Sequence, residues 1–339
     1  MVYTNILLLV AGLVLLLKGS EWLVKSASSF AKKVGISEFI IGLTVVAFGT
    51  SIPELFSAII ASFKQESGLV LGNIIGANIA NLGLIIGLAA ILSTLKTSRK
   101  IFLREGYILI FTSLMFFVFL FDRDINRIEA FFMILLYGTY TLFLFDSKSK
   151  SGEKSTFTGF TRYFLEFRYF QTIFNNVNYS LKLKTKTILS LIKDALVGMV
   201  SLALVLLGAN TIVSQGIFFA NEFSVSQVII GIFLSIGTTL PELSVALTAI
   251  KTGYRNIAIG NAIGSCITNT LLIIGIAGLI SPLAVPSYIV RFLAPAMVGM
   301  VLLFLWFLKN DWKISRLEGI ILLGLYLAFM VSVIIGAIR

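Results

Sequence analysis

Long hydrophobic runs, separated by short polar segments, dominate the chain of 339 residues. A membrane-spanning helix needs roughly 20 mostly apolar residues to cross a hydrocarbon core of about 30 Å. Ten runs meet this requirement, so we predict an all-α polytopic membrane protein with ten transmembrane helices. The predicted spans cover residues 4–24, 36–62, 69–94, 104–121, 128–145, 188–214, 224–250, 257–281, 288–308 and 315–337.

The composition agrees with a membrane protein and excludes several kinds of site. Hydrophobic residues make up 58% of the chain and charged residues 13%, whereas soluble domains carry about 25% charged residues. The single cysteine, Cys266, cannot form a disulfide within the chain, and histidine is absent. A typical zinc site and histidine-based catalysis are therefore excluded. Since no nucleophile, base and orienting group occur together, we expect neither an enzyme nor a bound cofactor.

The basic residues indicate how the chain is oriented. Loops on one side of the predicted spans carry 21 Lys and Arg residues, and the side that holds both termini carries five. Cytoplasmic loops are enriched in Lys and Arg. We therefore expect a plasma-membrane protein with extracellular termini. The formal charge of +11 reflects this asymmetry, and we expect no nucleic-acid partner.

A long polar segment divides the chain into three parts. We assign residues 1–145 and 188–339 to two five-helix units, and residues 146–187 to a basic cytoplasmic linker. The linker is rich in aromatic as well as basic residues. It is either an amphipathic segment that lies on anionic lipid or a plain connection between the two units.

The two units contain an internal repeat. Residues 49–81 align without a gap to residues 237–269 at an offset of 188, with 13 of 33 positions identical. The shared Pro, Glu, Asn and Gly residues are unusual inside hydrophobic spans. Because each unit has an odd number of spans, the second unit enters the membrane from the opposite side. Inverted repeats with interrupted helices are typical of secondary transporters.

Glu54 and Glu242 occupy equivalent positions of the repeat, deep within predicted spans. An acidic side chain at that depth costs at least a few kcal/mol unless it is paired or solvated. No Lys or Arg lies at a similar depth in these spans. The compensating charge must then be a proton or a bound cation.

The residues around each glutamate offer oxygen ligands. Pro53 and Pro241 interrupt their helices and free backbone carbonyl groups one turn earlier. The nearby hydroxyl groups belong to Thr50, Ser51, Thr238 and Thr239. Ca²⁺ prefers six to eight oxygen ligands, and two carboxylates balance one such ion. Two or more Na⁺ ions or two protons could take its place.

Each repeat closes with two asparagines at equivalent positions, one in a Gly-Asn-x-x-Gly segment and one five residues after that segment. These residues are Asn73, Asn81, Asn261 and Asn269. An asparagine can offer its carbonyl to a cation or form hydrogen bonds between packed helices. For Asn81 and Asn269 we favour a place in the site, and for Asn73 and Asn261 both interpretations stay open.

The paired motifs resemble the α-repeats of the cation/Ca²⁺ antiporter superfamily, and within it the prokaryotic Na⁺/Ca²⁺ exchangers. The resemblance rests on Gly-Thr-Ser-Ile-Pro-Glu-Leu at 49–55 and Gly-Thr-Thr-Leu-Pro-Glu-Leu at 237–243. It implies that Glu54 and Glu242 are central Ca²⁺ ligands, aided by the backbone carbonyls of Thr50 and Thr238. It also implies alternating access by sliding of the first and sixth helices. The implied flanking Na⁺ sites contain Ala47, Ser51, Ser235, Thr239 and Ser265.

Three positions depart from the family pattern. Position 269 is asparagine where the family often has aspartate, Ala77 replaces a serine, and Cys266 replaces an asparagine. We expect a monomer that exchanges Ca²⁺ for Na⁺ and normally exports Ca²⁺. Because a carboxylate and a hydroxyl are missing, exchange of Ca²⁺ or another cation for H⁺ is the alternative. A cation channel or a sensor on the same scaffold is a third interpretation.

Overall fold

The fold is described here from a computed structural model, which places residues 2–34, 49–97, 99–148, 156–169, 172, 185–251 and 255–338. In this part of the chain the first half contains seven α-helices and two short strands. They are α1 (Val2–Val34), α2 (Ile52–Phe63), α3 (Ser67–Ala80), α4 (Ile86–Leu92), β1 (Leu95–Lys96), α5 (Arg99–Ile101), α6 (Tyr107–Phe119), β2 (Asp124–Ile125) and α7 (Arg127–Lys148).

The rest of the described chain adds a short helix and a second long series. These elements are α8 (Phe157–Leu165), α9 (Thr185–Glu222), α10 (Gln227–Thr238), α11 (Leu240–Lys251), α12 (Arg255–Ile267), α13 (Ile274–Ile280), β3 (Leu283–Ala284), α14 (Ala294–Lys309), β4 (Lys313–Ile314) and α15 (Arg316–Ile338). Turns of π-helix join α3 to α4, α5 to α6 and α12 to α13, and another precedes α14.

The two series of elements correspond to each other. The bounds of α2 and α11 differ by 188 residues at both ends, as do those of α4 and α13. The strands also correspond, but each pairs with the other half: β1 pairs with β4 and β2 with β3, both antiparallel. The two strand pairs lie at opposite ends of the helix bundle, because β1 and β2 flank a single span. Each half therefore contributes one strand at each end.

Nine helical stretches of the described residues are long and apolar enough to cross a membrane. All-helical membrane architecture is thus confirmed, with the short helix α2 as a further apolar element. Residues 36–48, the first half of the second predicted span, lie outside the described residues. Of these stretches, Ser67–Leu92 and Ile257–Ile280 have the largest shares of buried residues, 83% and 72% of their apolar windows. The Gly-Asn-x-x-Gly segments therefore lie at the centre of the bundle.

The helices α1 and α9 form a closely packed pair at the side of this centre. They contain 33 and 38 residues, so their lengths are about 50 and 57 Å. A Cβ atom at Gly208 would lie 2.8 Å from the carbonyl oxygen of Gly12, and one at Gly19 would lie 2.9 Å from the amide nitrogen of Val205. Backbone contact through glycine is the usual way in which membrane helices approach closely.

The linker contains a helix that packs on the protein. In α8, Phe160 and Tyr163 are buried, and both rings contact Phe143 of α7. Phe160 also contacts the ring of Tyr140. Phe160 and Tyr163 therefore pack on the protein, and whether the rest of the segment lies on lipid stays open. Most of the remaining linker lies outside the described residues.

Candidate cation site

Both glutamates lie in the first turn of a helix. Pro53 lies in the first turn of α2. In the second half, α10 ends at Thr238 and the backbone breaks at Thr239 before α11 begins. Proline suits the first turn because the amide group that it lacks has no partner there. Glu54 and Glu242 follow directly and are 0% and 1% exposed. The helix N-terminus favours negative charge, so these two short helices direct their positive ends toward the carboxylates.

The two motifs face each other across the bundle. The Thr50 hydroxyl lies beside the carboxyl group of Glu242, and the Thr238 hydroxyl lies beside that of Glu54. Glu54 and Glu242 are close enough for their charges to interact. Each repeat thus presents its threonine to the glutamate of the other repeat. The site is shared by the two halves of the chain.

Glu242 has two further hydroxyl partners. Ser51 Oγ and Ser265 Oγ donate hydrogen bonds to Glu242 Oε1 at 3.4 and 3.3 Å. The two hydroxyl oxygens lie 3.5 Å apart. Ser51 comes from the turn before α2, and Ser265 comes from α12. The other carboxyl oxygen, Oε2, has no hydrogen-bond partner among the described residues.

Glu54 lacks the equivalent partners. Its counterparts of Ser51 and Ser265 are Thr239 and Ala77, and alanine has no hydroxyl. The Thr239 hydroxyl donates instead to the backbone oxygen of Ser235 at 2.8 Å. Within the described part of the chain, neither carboxyl oxygen of Glu54 has a hydrogen-bond partner. Such a buried group is costly unless a ligand or ion satisfies it.

Asparagines from both repeats form a second polar cluster. Asn269 Nδ2 donates to Asn78 Oδ1 at 3.1 Å, and Asn78 Nδ2 donates to Thr270 Oγ1 at 3.0 Å. The Cys266 thiol contacts the backbone oxygen of Asn78 at 3.7 Å. Residues 78 and 266 are equivalent in the repeat, so they meet near its symmetry axis. Sequence reasoning missed Asn78, although its place opposite Cys266 in the alignment was visible.

The other predicted residues differ in their surroundings. Asn81 is completely buried, and its amide has no partner among the described residues. Asn73 Oδ1 accepts a hydrogen bond from the Thr238 hydroxyl at 3.3 Å. Asn261 is half-buried, and no hydrogen bond joins it to the motifs in the described chain. Ser235 is buried, with its hydroxyl donated to the backbone oxygen of Ile232. Ala47 lies outside the described residues.

The chemistry of the cluster is that of oxygen ligands around uncompensated negative charge. Glu54 and Glu242 are the only charged residues that are buried in the described part of the chain. No group of three or more His, Cys, Asp or Glu residues occurs there. Two carboxylates with hydroxyl and amide oxygens suit a hard cation such as Ca²⁺ or Na⁺ and not a soft metal.

Comparisons with known proteins agree with a cation site in a membrane protein. The family model described as "Sodium/calcium exchanger protein" matches residues 4–145 and 193–335. The chain is 43% identical to the sodium/calcium exchanger MaX1 of Methanosarcina acetivorans, over 98% of this chain and 99% of the relative. It is 29% identical to the inner membrane protein YrbG of Escherichia coli, over 81% of this chain and 79% of that relative.

Solved structures show the same relationship. A structure of the sodium-calcium exchanger NCX_Mj soaked with 100 mM Na⁺ and 10 mM Sr²⁺ matches with a TM-score of 0.62. The two chains are 27% identical, and the match covers 98% of this chain and 99% of the other. The elements that carry the two glutamates lie within the residues that the family model matches. The chain is therefore a multi-pass membrane protein that belongs to the sodium/calcium exchanger family.

Proposed function

We propose that this protein exchanges Na⁺ for Ca²⁺ across the plasma membrane and normally exports Ca²⁺. One observation carries the proposal: two buried carboxyl groups from opposite halves face each other, and three of their four oxygens have no partner in the described chain. A divalent cation would neutralise both carboxylates at once, as would two or more Na⁺ ions. Competition for the same two charges is the basis of exchange.

Each site residue has a proposed role. Glu54 and Glu242 bind Ca²⁺ centrally, with the backbone carbonyl groups of Thr50 and Thr238. Asn81 and Asn269 would add amide oxygens to the site, and the amide of Asn81 and the carbonyl oxygen of Asn269 have no partner among the described residues. The proposed flanking Na⁺ positions involve Ala47, Ser51, Ser235, Thr239 and Ser265. Asn73 supports Thr238, and the described contacts favour a packing role for Asn261.

The proposed mechanism is alternating access by two inverted five-helix units, residues 1–145 and 188–339, joined by the linker 146–187. The exchanged strand pairs and the equal offsets of α2 and α11 support a two-fold relationship between the units. The close pair of α1 and α9 would slide across the remaining helices. With ten spans and the observed distribution of basic residues, both termini would be extracellular. A monomer contains the whole proposed site.

The first prediction concerns the wild-type protein in lipid vesicles. An outward-directed Na⁺ gradient should drive uptake of radiolabelled Ca²⁺, because both ions compete for the same carboxylates. Vesicles without the Na⁺ gradient are the control. Uptake that ignores Na⁺ but follows a pH gradient would contradict Na⁺ coupling and support Ca²⁺/H⁺ exchange. Flux that needs no counter-ion would indicate a channel.

A second prediction concerns Asn269→Asp. The substitution places a third carboxyl group beside Asn78, four residues after Ser265, which donates to Glu242. The additional titratable charge should change the Na⁺ to Ca²⁺ coupling ratio or make the flux depend on pH where wild-type flux does not. The ratio follows from the ion gradients at which net flux stops. Asn261→Asp is the matched control, and an unchanged ratio and pH profile for Asn269→Asp would place position 269 outside the site.

A further inference from the structure

A cavity lies beside the proposed cation site, between four helices. Residues of α2, α3, α9 and α10 line it. They are Ser57, Ala58, Ala61, Leu69, Val70, Asn73, Ile212, Val213, Leu234 and Thr238. Most of this lining is apolar, and its hydroxyl and amide groups belong to Ser57, Asn73 and Thr238.

The cavity adjoins the proposed site through Thr238 and Asn73. The Thr238 hydroxyl donates to Asn73 Oδ1 at 3.3 Å, and the same hydroxyl lies beside the carboxyl group of Glu54. Ser57 follows Glu54 by three residues on α2, so the two side chains lie on the same face of the helix. The Ser57 hydroxyl is buried without a partner among the described residues. A cation in the cavity would therefore be next to the ligands of the proposed site.

A lysine joins two of the helices that line the cavity, α2 and α9. Lys64 follows α2 directly, three residues beyond Ala61, and its side chain is exposed. Its Nζ donates a hydrogen bond to Ser214 Oγ of α9 at 2.7 Å. Ser214 is the neighbour of Val213 in the cavity lining. In the described chain no carboxylate forms an ion pair with Lys64, so its charge is uncompensated there.

We propose that Lys64 sets the relative access of Ca²⁺ and Na⁺ to the site from this side of the membrane. The inference rests on the proposed exchange function. A fixed positive charge lowers the local concentration of each cation by a Boltzmann factor, and the factor for a divalent ion is the square of that for a monovalent ion. Lys64 thus weakens Ca²⁺ entry more than Na⁺ entry between the end of α2 and α9. On the extracellular side, this would oppose return of exported Ca²⁺.

The test is Lys64→Met in right-side-out vesicles, with half-saturating external Ca²⁺ and Na⁺ measured at low ionic strength. A unit charge about 10 Å from the ion path in water changes a monovalent concentration about twofold and a divalent one about fourfold. We therefore expect half-saturating Ca²⁺ to fall about fourfold and half-saturating Na⁺ about twofold. Both shifts should shrink in high salt, because salt screens exposed charges. Equal shifts for the two ions, or no shift, would overturn the proposal.

Three further variants separate the charge from the hydrogen bond. Lys64→Arg keeps the charge and should leave both constants unchanged. Lys64→Gln keeps a hydrogen-bond donor and should behave like Lys64→Met. Ser214→Ala removes the bond but keeps the charge, and it should resemble the wild type. If Ser214→Ala instead reproduced Lys64→Met, the lysine would act as a structural link and the proposal would be wrong.

Two controls concern sidedness. Arg127→Met removes an exposed basic residue on the same proposed side, at the start of α7, which contributes no residue to the cavity lining, and it should shift neither constant. In inside-out vesicles, Lys64→Met should leave the half-saturating concentrations unchanged at the cytoplasmic face. A shift of either concentration at that face would contradict a role of Lys64 on one side of the membrane only. If wild-type vesicles show no Na⁺-dependent Ca²⁺ flux, the proposed function is wrong, and this inference is wrong with it. If the wild type exchanges the ions and Lys64→Met has the same half-saturating concentrations, only the inference is wrong.

Discussion

Glu54→Gln should reduce Na⁺-dependent Ca²⁺ flux at least about 100-fold. The substitution preserves the size of the side chain but removes one of two buried negative charges. Ca²⁺ bound at the proposed site would then lack one of its two carboxylate partners. Removing one partner of a buried pair of opposite charges costs about 3–5 kcal/mol, and each 1.4 kcal/mol changes an equilibrium constant about tenfold. Glu242→Gln should cause a similar loss of Na⁺-dependent Ca²⁺ flux. The measurement is radiolabelled Ca²⁺ uptake into Na⁺-loaded vesicles that contain equal amounts of each protein.

Glu66→Gln is the matched control for this loss. Glu66 lies just before α3 and is partly exposed, and only its backbone groups take part in the hydrogen bonds of that turn. At saturating Ca²⁺ and physiological salt, which screens exposed charges, its substitution should leave flux within about twofold of the wild type. Elution of each variant as a single species from size-exclusion chromatography establishes folding. A Glu54→Gln protein that folds and exchanges Ca²⁺ within tenfold of the wild-type rate would refute the proposed site.

Gly72→Leu should destabilise the protein by about 3 kcal/mol or more. A Cβ atom at Gly72 would lie 2.9 Å from the carbonyl carbon of Val228 and closer still to its oxygen. At the same crossing, a Cβ at Gly231 would lie 2.7 Å from the backbone oxygen of Leu69. Overpacking costs about 1–3 kcal/mol where side chains can move, and here the obstacle is backbone. The midpoint of thermal unfolding in detergent is the measurement.

Gly324→Leu provides the comparison for this substitution. Gly324 lies on an exposed face of α15, and no described atom is within 4 Å of a Cβ atom placed there. The same change of residue should therefore leave the unfolding midpoint nearly unchanged. If Gly72→Leu unfolded at the wild-type temperature, the close contact between α3 and α10 would not exist in the membrane protein. That contact joins the two halves beside Asn73 and Thr238, so the variant should also lose flux.

Much of the fold was predictable because membrane spans and helix breaks depend on local sequence. Hydrophobic length alone located the helices, since the bilayer requires internally satisfied backbone groups. The prolines before Glu54 and Glu242 predicted where short helices begin. The linker was harder to predict. Its aromatic residues suit either lipid or protein, and packing of Phe160 against Phe143 depends on how the linker folds back onto the preceding helix α7.

The partners of the glutamates were not predictable at the level of atoms. Ser51 and Glu242 are 191 residues apart, and their hydrogen bond requires α2 and α11 to meet in one register. The same holds for Asn78 and Asn269, which are also 191 residues apart. The absence of a hydroxyl at Ala77 was visible in the sequence. Its consequence, a Glu54 carboxyl without partners in the described chain, depends on which side chains surround it.

The amino-acid sequence by itself determined the membrane class, the position of most spans, the 188-residue repeat and the two acidic residues that lack a basic neighbour. These features follow from local hydrophobicity, proline chemistry and the cost of burying charge. Only the tertiary structure decided that Glu242 has two hydroxyl donors while Glu54 has none, and that Lys64 at the end of α2 donates a hydrogen bond to Ser214 of α9. Such contacts depend on the register between helices from opposite halves, which no local pattern specifies.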